Sequence, residues 1–189
     1  MTLFGYQNKV LRVDLTNKGT KTEPLRMDWA EKYIGSKGLA IKYLYEELKP
    51  GIDPLSPENK LLLMTGPMTG TPIACSGKLS ISAKSPATGT INDCSIGGHA
   101  AVQIKFAGYD AVMLEGALED PGYLLIENDQ VSFHDAKDLW GKGSHETEDL
   151  LAARYGHGYT FLSIGPAGEN LVTMSCINSL KVRPLTLAP

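Results

Sequence analysis

A chain of 189 residues, 42% of them hydrophobic and 21% charged, has the length and make-up of one globular domain with a sizeable core. Its net charge of −3 excludes the basic footprint of a nucleic-acid binder. No run approaches the ~20 apolar residues of a membrane span, and the opening MTLFGYQNKVLRVDL has no basic region followed by an apolar stretch of signal-peptide length, so a cytoplasmic protein is expected.

Residues 9–15 read as a strand in which Val10, Arg12 and Asp14 alternate with other residues. The turn Thr16-Asn17-Lys18-Gly19 leads into a second short segment ending at Pro24, a hairpin signal. Asp28 is placed to cap a helix whose Ala30, Tyr33 and Ile34 fit a 3.6-residue period. Residues 36–48 continue it through Leu39, Ala40, Tyr43, Leu44 and Leu48, with Gly35 and Gly38 as the points where it loosens or breaks. After a proline-marked connector at 50–57, KLLLMT at 60–65 is a continuous apolar run of buried-strand length. Leu79, Ile81 and Ala83 alternate with Ser80, Ser82 and Lys84, the pattern of a half-buried strand, ended by Ser85-Pro86. Residues 98–106 read as a short helix closed by Gly108. Strands follow at 111–115, 123–127 and 131–134, the last two joined across Asn128-Asp129. Ser144 heads a helix to about Tyr155, with Glu146, Glu148 and Asp149 complementing its dipole. Residues 160–164 and 171–177 complete the strand count, and GPAGEN at 165–170 between them reads as a loop in which Glu169 caps or pairs. Strands outnumber helices without a strict βαβ rhythm, so the expected class is α+β in a single domain.

Cys75, Cys94 and Cys176 form no CxxC and no zinc spacing, and their odd number argues against a disulfide framework. As isolated cysteines they are expected to be small core residues. The chemistry concentrates between residues 66 and 110, where Gly66, Gly70, Gly77, Gly89, Gly97 and Gly98 permit turns whose amides face a shared concavity. Residues 60–110 carry four lysines against two aspartates, net +2, whereas residues 111–156 carry three basic and ten acidic side chains, net −7. A phosphate-bearing small molecule suits the first segment. A P-loop is excluded, because Pro72 stands where its first glycine belongs and Leu79 where its Ser or Thr belongs; no GxGxxG follows a strand.

Taken as ordered blocks, GPMTGT, SGK, KSPATG, SIGGH, KFAGYDA, LWGKG and SIGPAGEN, together with VLRVDLT, GSKGLA and DPLSPENK, resemble the N-terminal domain of the aldehyde ferredoxin oxidoreductase family of tungsten and molybdenum enzymes. The similarity runs from Val10 to about Ser179. It implies a domain of intertwined β-sheets with a few flanking helices over residues 1–179, followed by a divergent tail at 180–189. It also implies a bis-pyranopterin cofactor whose metal is held by pterin dithiolenes rather than protein thiolates. By the same resemblance, Lys78 contacts the pterin where Arg is usual, Ser95 gives its backbone carbonyl to a magnesium ion where Asn is familiar, and Gly97 follows as a pterin contact. The amides of Gly97 and Gly98, at the start of the 98–106 helix, then form an anion site.

The implied activity is oxidation of an aldehyde to a carboxylic acid, with electrons leaving through an iron–sulfur cluster to ferredoxin, in an enzyme that also forms a homodimer. No residue in the chain presents itself as a catalytic acid or base. After Ser179 the family continues into an arginine- and glycine-rich segment and later supplies four cluster cysteines, whereas this chain ends LKVRPLTLAP. A truncated or frame-shifted coding sequence, or a separately encoded piece, is therefore expected, inactive alone, and two alternatives stay open: a non-catalytic folded fragment, and a cofactor-binding subunit completed by a separate chain. Plainer roles also stay open for Lys78 (a solvated edge lysine), Gly97-Gly98 (a turn), Ser95 (a cap), Lys37 (a surface lysine rather than a phosphate contact) and His99 (a half-buried helix histidine).

Overall fold

In the computed structural model, which describes residues 4–179, six strands hydrogen-bond into one mixed sheet and two more form a separate hairpin. The large sheet comprises β1 (Lys9–Asp14), β2 (Gly19–Pro24), β3 (Lys60–Met64), β4 (Leu79–Lys84), β5 (Ile91–Ile96) and β6 (Ala111–Glu115), in the order β2-β1-β6-β3-β4-β5. Every neighbouring pair is antiparallel except β1 with β6. The hairpin is β7 (Gly122–Glu127) with β8 (Gln130–Asp135), turning at Asn128 in a left-handed conformation. The helices are α1 (Met27–Tyr33), α2 (Ser36–Glu47), α3 (Ala100–Phe106), α4 (Ser144–Tyr155) and α5 (Gly165–Glu169). The class is α+β.

The sheet is apolar on both faces, and each face is covered. On one side Val10, Leu62, Met64, Ala111 and Met113 meet Ala30 of α1 and Leu39, Ala40 and Leu44 of α2. On the other, Leu11, Val13, Leu63, Leu79, Ile81 and Val112 meet Ala100 and Ala101 of α3, with Leu124, Ile126, Val131 and Phe133 of the hairpin packed around them. Burying each such Leu or Val fully is worth about 1.5–3 kcal/mol. Strand β4 therefore departs from its expected half-buried state: Ser80 and Ser82 are completely inaccessible beneath α2. Alternation of Ser with apolar residues reports two different environments, not water on one side.

Local structure differs elsewhere for identifiable reasons. The first helix stops at Ile34, which takes φ 66°, a costly conformation for a β-branched residue. The Tyr6 hydroxyl, 2.5 Å from the Ile34 carbonyl, holds this corner. Gly38 does not break α2 but lies inside it, where a Cβ would sit 2.6 Å from the Tyr33 carbonyl oxygen. Asp28 does not cap α1; it sits within the first turn and pairs with Arg26. Likewise α4 starts after Gly143 with no side-chain cap, and Glu146 alone of the three acids lies in its first turn. Residues 160–164 and 171–177 are not strands; one isolated bridge joins Ser163 to Asn178, just past the second segment, while within the expected loop residues 165–169 form α5, with proline in its first turn. Strand β5 has no counterpart in the sequence reading. The tail at 180–189 lies outside the described residues.

Two ionic clusters fix the sheet's ends. Asp110, 2% exposed, accepts hydrogen bonds from the Lys105 ammonium of α3 and from the backbone amides of Gln7 and Lys9 at 3.1 and 3.4 Å. Its own backbone bonds Lys9 and Thr65, so one residue ties together β1, β3, β6 and α3. At the opposite end Arg12 grips Glu47 through two nitrogens and Glu23 through its Nε, and Lys60 bridges Glu47 and Glu115. Burial raises the Glu47 carboxyl, but its hydrogen bonds to Arg12 and Lys60 outweigh this and hold it below its ordinary value.

Replacing Asp110 with Ala, which strands the buried Lys105 ammonium, should cost about 3–5 kcal/mol in urea unfolding. Glu47 has its folded-state pKa depressed, so its contribution is present above the unfolded carboxylate value of about 4.3 and lost as pH falls through the folded value. The stability difference between pH 7 and pH 3 should therefore shrink in Glu47→Gln; an unchanged difference would show that the cluster carries none of the acid sensitivity.

Candidate functional site

Strands β4 and β5 form a regular antiparallel pair, Leu79 opposite Ile96 through Lys84 opposite Ile91, and β5 is the outer edge of the sheet. At the hairpin joining them, the Ser85 amide donates to the Thr90 carbonyl at 2.8 Å. In an antiparallel ladder hydrogen-bonded and non-hydrogen-bonded pairs alternate. Counting inward from Ser85–Thr90, residues Asn92, Cys94 and Ile96 turn their amides and carbonyls toward β4, whereas Asp93 and Ser95 turn theirs outward. The other side of β4 agrees: the Lys84 amide reaches Asn59 Oδ1 next to β3, as the same alternation requires. The Ser95 carbonyl therefore points away from the sheet, and a carbonyl oxygen is a hard donor suited to magnesium.

One step beyond the ladder, Lys78 and Gly97 come together. A Cβ built on Gly97 would lie 3.8 Å from the Lys78 Nζ, so the missing side chain leaves the space beside the ammonium open to a ligand. Gly77 and Gly98 close the same corner, where a Cβ on Gly77 would stand 3.2 Å from the Gly98 carbonyl oxygen. Gly98 itself needs φ +86°, a conformation glycine adopts without penalty. Helix α3 begins at Ala100, with the half-buried His99 at its cap position, so Gly97 and Gly98 precede the helix rather than open it. The expected anion site at a helix start thus becomes a glycine corner beside a lysine.

The remaining small-residue segments reach the same end of the sheet. The Gly66 amide donates to Thr69 Oγ1 at 3.0 Å, and Gly70 takes φ +81° against the Phe106 ring. The Ser36 amide at the start of α2 donates to the Thr65 carbonyl at 2.9 Å, bringing Lys37 to this end. Lys37 is mostly solvent-exposed, with its Nζ 3.8 Å from Asp93 Oδ2. The three cysteines are all exposed, against the expectation of core positions. For Cys94, partial burial of the sulfur, the Asp93 carboxylate and the Cys176 thiol raise the pKa, which leaves a thiol rather than a thiolate at neutral pH. The donor set of this corner is one ammonium, glycine backbone and an outward carbonyl, a fit for an anionic guest with its counter-cation.

Sequence reading missed Asp93. Its carboxylate is 6% exposed and accepts hydrogen bonds from the buried Ser80 and Ser82 hydroxyls. The two serines in alternate positions, followed by one acid in a polar stretch, were the available signal.

The family model for the N-terminal domain of aldehyde ferredoxin oxidoreductase matches residues 10–184. Tungsten-containing aldehyde ferredoxin oxidoreductases of Pyrococcus abyssi and Thermococcus kodakarensis are 42% and 43% identical over 176 residues, covering 93% of this chain. The aliphatic sulfonate oxidoreductase WOR-like subunit of Pyrococcus furiosus is 37% identical over 152 residues. Among solved structures, the active-site complex BamBC of benzoyl coenzyme A reductase with 1,5-dienoyl-CoA superposes with a TM-score of 0.91 at 33% identity, over 93% of this chain and 27% of that one. The chain spans 29% of the length of the first two of these relatives.

Amide hydrogen exchange along β5 should alternate, slow at Asn92, Cys94 and Ile96 and fast at Asp93 and Ser95. The opposite alternation, slow at Asp93 and Ser95, would mean that the Ser95 carbonyl is turned inward.

Proposed function

The chain belongs to the aldehyde ferredoxin oxidoreductase family, and from that premise we propose that it forms the base on which a tungsten or molybdenum bis-pyranopterin sits, in an enzyme that oxidises aldehydes to carboxylic acids. The observation carrying this reading is the corner where Lys78 and Gly97 come together at one end of the sheet, with the outward Ser95 carbonyl two residues before Gly97 on the edge strand. No helix among the described residues is long and apolar enough to cross a membrane.

The cofactor, when bound, supplies the two-electron chemistry; the protein supplies placement. Lys78 is a point charge with three donors and lacks the planar fork of arginine, so it neutralises a phosphate or pterin edge without fixing its plane. Gly97 and Gly98 present no side chain to keep a bulky guest away from the backbone. Ser95 contributes main chain only, and so serves magnesium as well as asparagine would. The iron–sulfur cluster, ferredoxin and the substrate pocket belong, in this reading, to the part of the relatives' length that the chain does not span, and the chain alone turns over no aldehyde.

A charge-assisted hydrogen bond is worth about 1.5–3 kcal/mol, roughly ten- to a hundredfold in affinity. After anaerobic co-expression with pterin synthesis, Lys78→Ala should lose most of its tungsten or molybdenum by elemental mass spectrometry, and Lys78→Arg should keep it. Because Lys78 is exposed, the unfolding free energy of Lys78→Ala should stay within about 0.5 kcal/mol of wild type. Full metal occupancy in Lys78→Ala would refute the assignment, and metal uptake by wild type only with a second chain present would identify a subunit completed by its partner.

A further inference from the structure

Asp93 is a buried carboxylate in a strand whose other side chains are half-buried or exposed. Its Oδ1 accepts from Ser82, directly across the ladder at 2.6 Å, and from Ser80 on the diagonal, while Oδ2 faces Lys37 of α2 at 3.8 Å. The two serine hydroxyls are 3.3 Å apart and wholly inaccessible. Three elements thus converge on one acid: β4, β5 and the first turn of α2.

We infer that Asp93 is a positioning residue for the cofactor corner: it locks the register of β5, so that the Ser95 carbonyl and Gly97 face outward beside Lys78. The inference rests on the reading of that corner as the cofactor site. An edge strand has a neighbour on one side only, and β5 has little apolar surface to hold it in place. Slipping a strand by one residue exchanges its two faces and reverses the direction of every carbonyl. In β5 that slip would carry Asp93 to the apolar face, among Leu79, Ile81 and Ala101, away from the Ser80 and Ser82 hydroxyls and from Lys37. The same slip would turn the Ser95 carbonyl toward β4. A buried charged group with partners in one register alone makes the alternative costly. The lock therefore sits two residues from the atom it aims.

The test uses the full-length protein purified with its cofactor, comparing wild type, Asp93→Ala and Asp93→Asn. Asparagine keeps an acceptor oxygen for the serines, and alanine removes it. Asp93→Ala should speed exchange at Asn92, Cys94 and Ile96 by about tenfold or more, as expected for one net hydrogen bond lost or beyond. Exchange in β1, β3 and β6 should stay unchanged, bound tungsten or molybdenum should fall by more than half, and Asp93→Asn should restore both. Should Asp93→Ala fail to fold, Ser82→Ala removes one of the two hydroxyl bonds and should shift both readouts in the same direction by less. Unchanged β5 exchange, full metal occupancy despite a loosened β5, or an asparagine variant as defective as alanine would each overturn the lock. A wild-type protein without bound metal would instead refute the cofactor reading, and the exchange data alone would then decide for or against the lock.

Discussion

Much of this fold depends on the buried pair of Asp110 and Lys105, 2% and 5% exposed. The carboxylate collects the Lys105 ammonium and two backbone amides from the N-terminal segment, and the backbone of the same residue joins β1 to β3. The ammonium also stands 5.6 Å from the centre of the Tyr6 ring, and the Tyr6 hydroxyl holds the corner between α1 and α2. Moving Asp110 would therefore disturb the parallel β1–β6 contact, the end of β3 and the seating of α3 together. Charges buried this deeply are tolerated only when paired, so the sequence of contacts is all or nothing. Gly70 packs against Phe106 and the Lys105 stem, and by this route the pair also fixes the turn that borders the candidate site.

The site itself follows from strand alternation at an open edge. An interior strand spends all its carbonyls on neighbours, whereas an edge strand has half to spare. Here the outward half includes the Ser95 carbonyl, and just past the strand's end two glycines clear the space beside a lysine ammonium. No large side chain is needed to make such a surface. In the proposed reading, Lys for Arg and Ser for Asn are compatible with the same corner, since position 95 would contribute main chain and position 78 chiefly charge.

The parts legible in the sequence were those whose side chains report their surroundings directly. KLLLMT is apolar because β3 is buried on both faces, and the hairpin turns at 16–19 and 128–129 carry residues suited to positive φ, Lys18 apart. Strand β5 was not legible because its one well-buried side chain is a carboxylate, which breaks the apolar period a strand reading relies on. Ser80 and Ser82 misled for the complementary reason: their partner is that same acid, remote in sequence, so they resemble a solvent face. The segments at 160–164 and 171–177 are apolar enough for strands, yet they flank a short helix that proline starts and glycines disguise. The ordered motif blocks single out Lys78, Ser95 and Gly97 as candidates; the ladder geometry adds what motifs lack, the direction in which each backbone group points.

The relationship covers 93% of this chain but 29% of the relative's length. In the proposed reading this chain offers a base with one prepared corner. The most direct measurement is anomalous diffraction at a tungsten or molybdenum absorption edge from crystals of the metal-loaded protein. Cofactor density with a phosphate or pterin heteroatom within about 3.2 Å of the Lys78 Nζ, and magnesium at the Ser95 carbonyl, is the expected result. Metal and pterin lying against the β7–β8 hairpin instead, with Lys78 in bulk solvent, would contradict it.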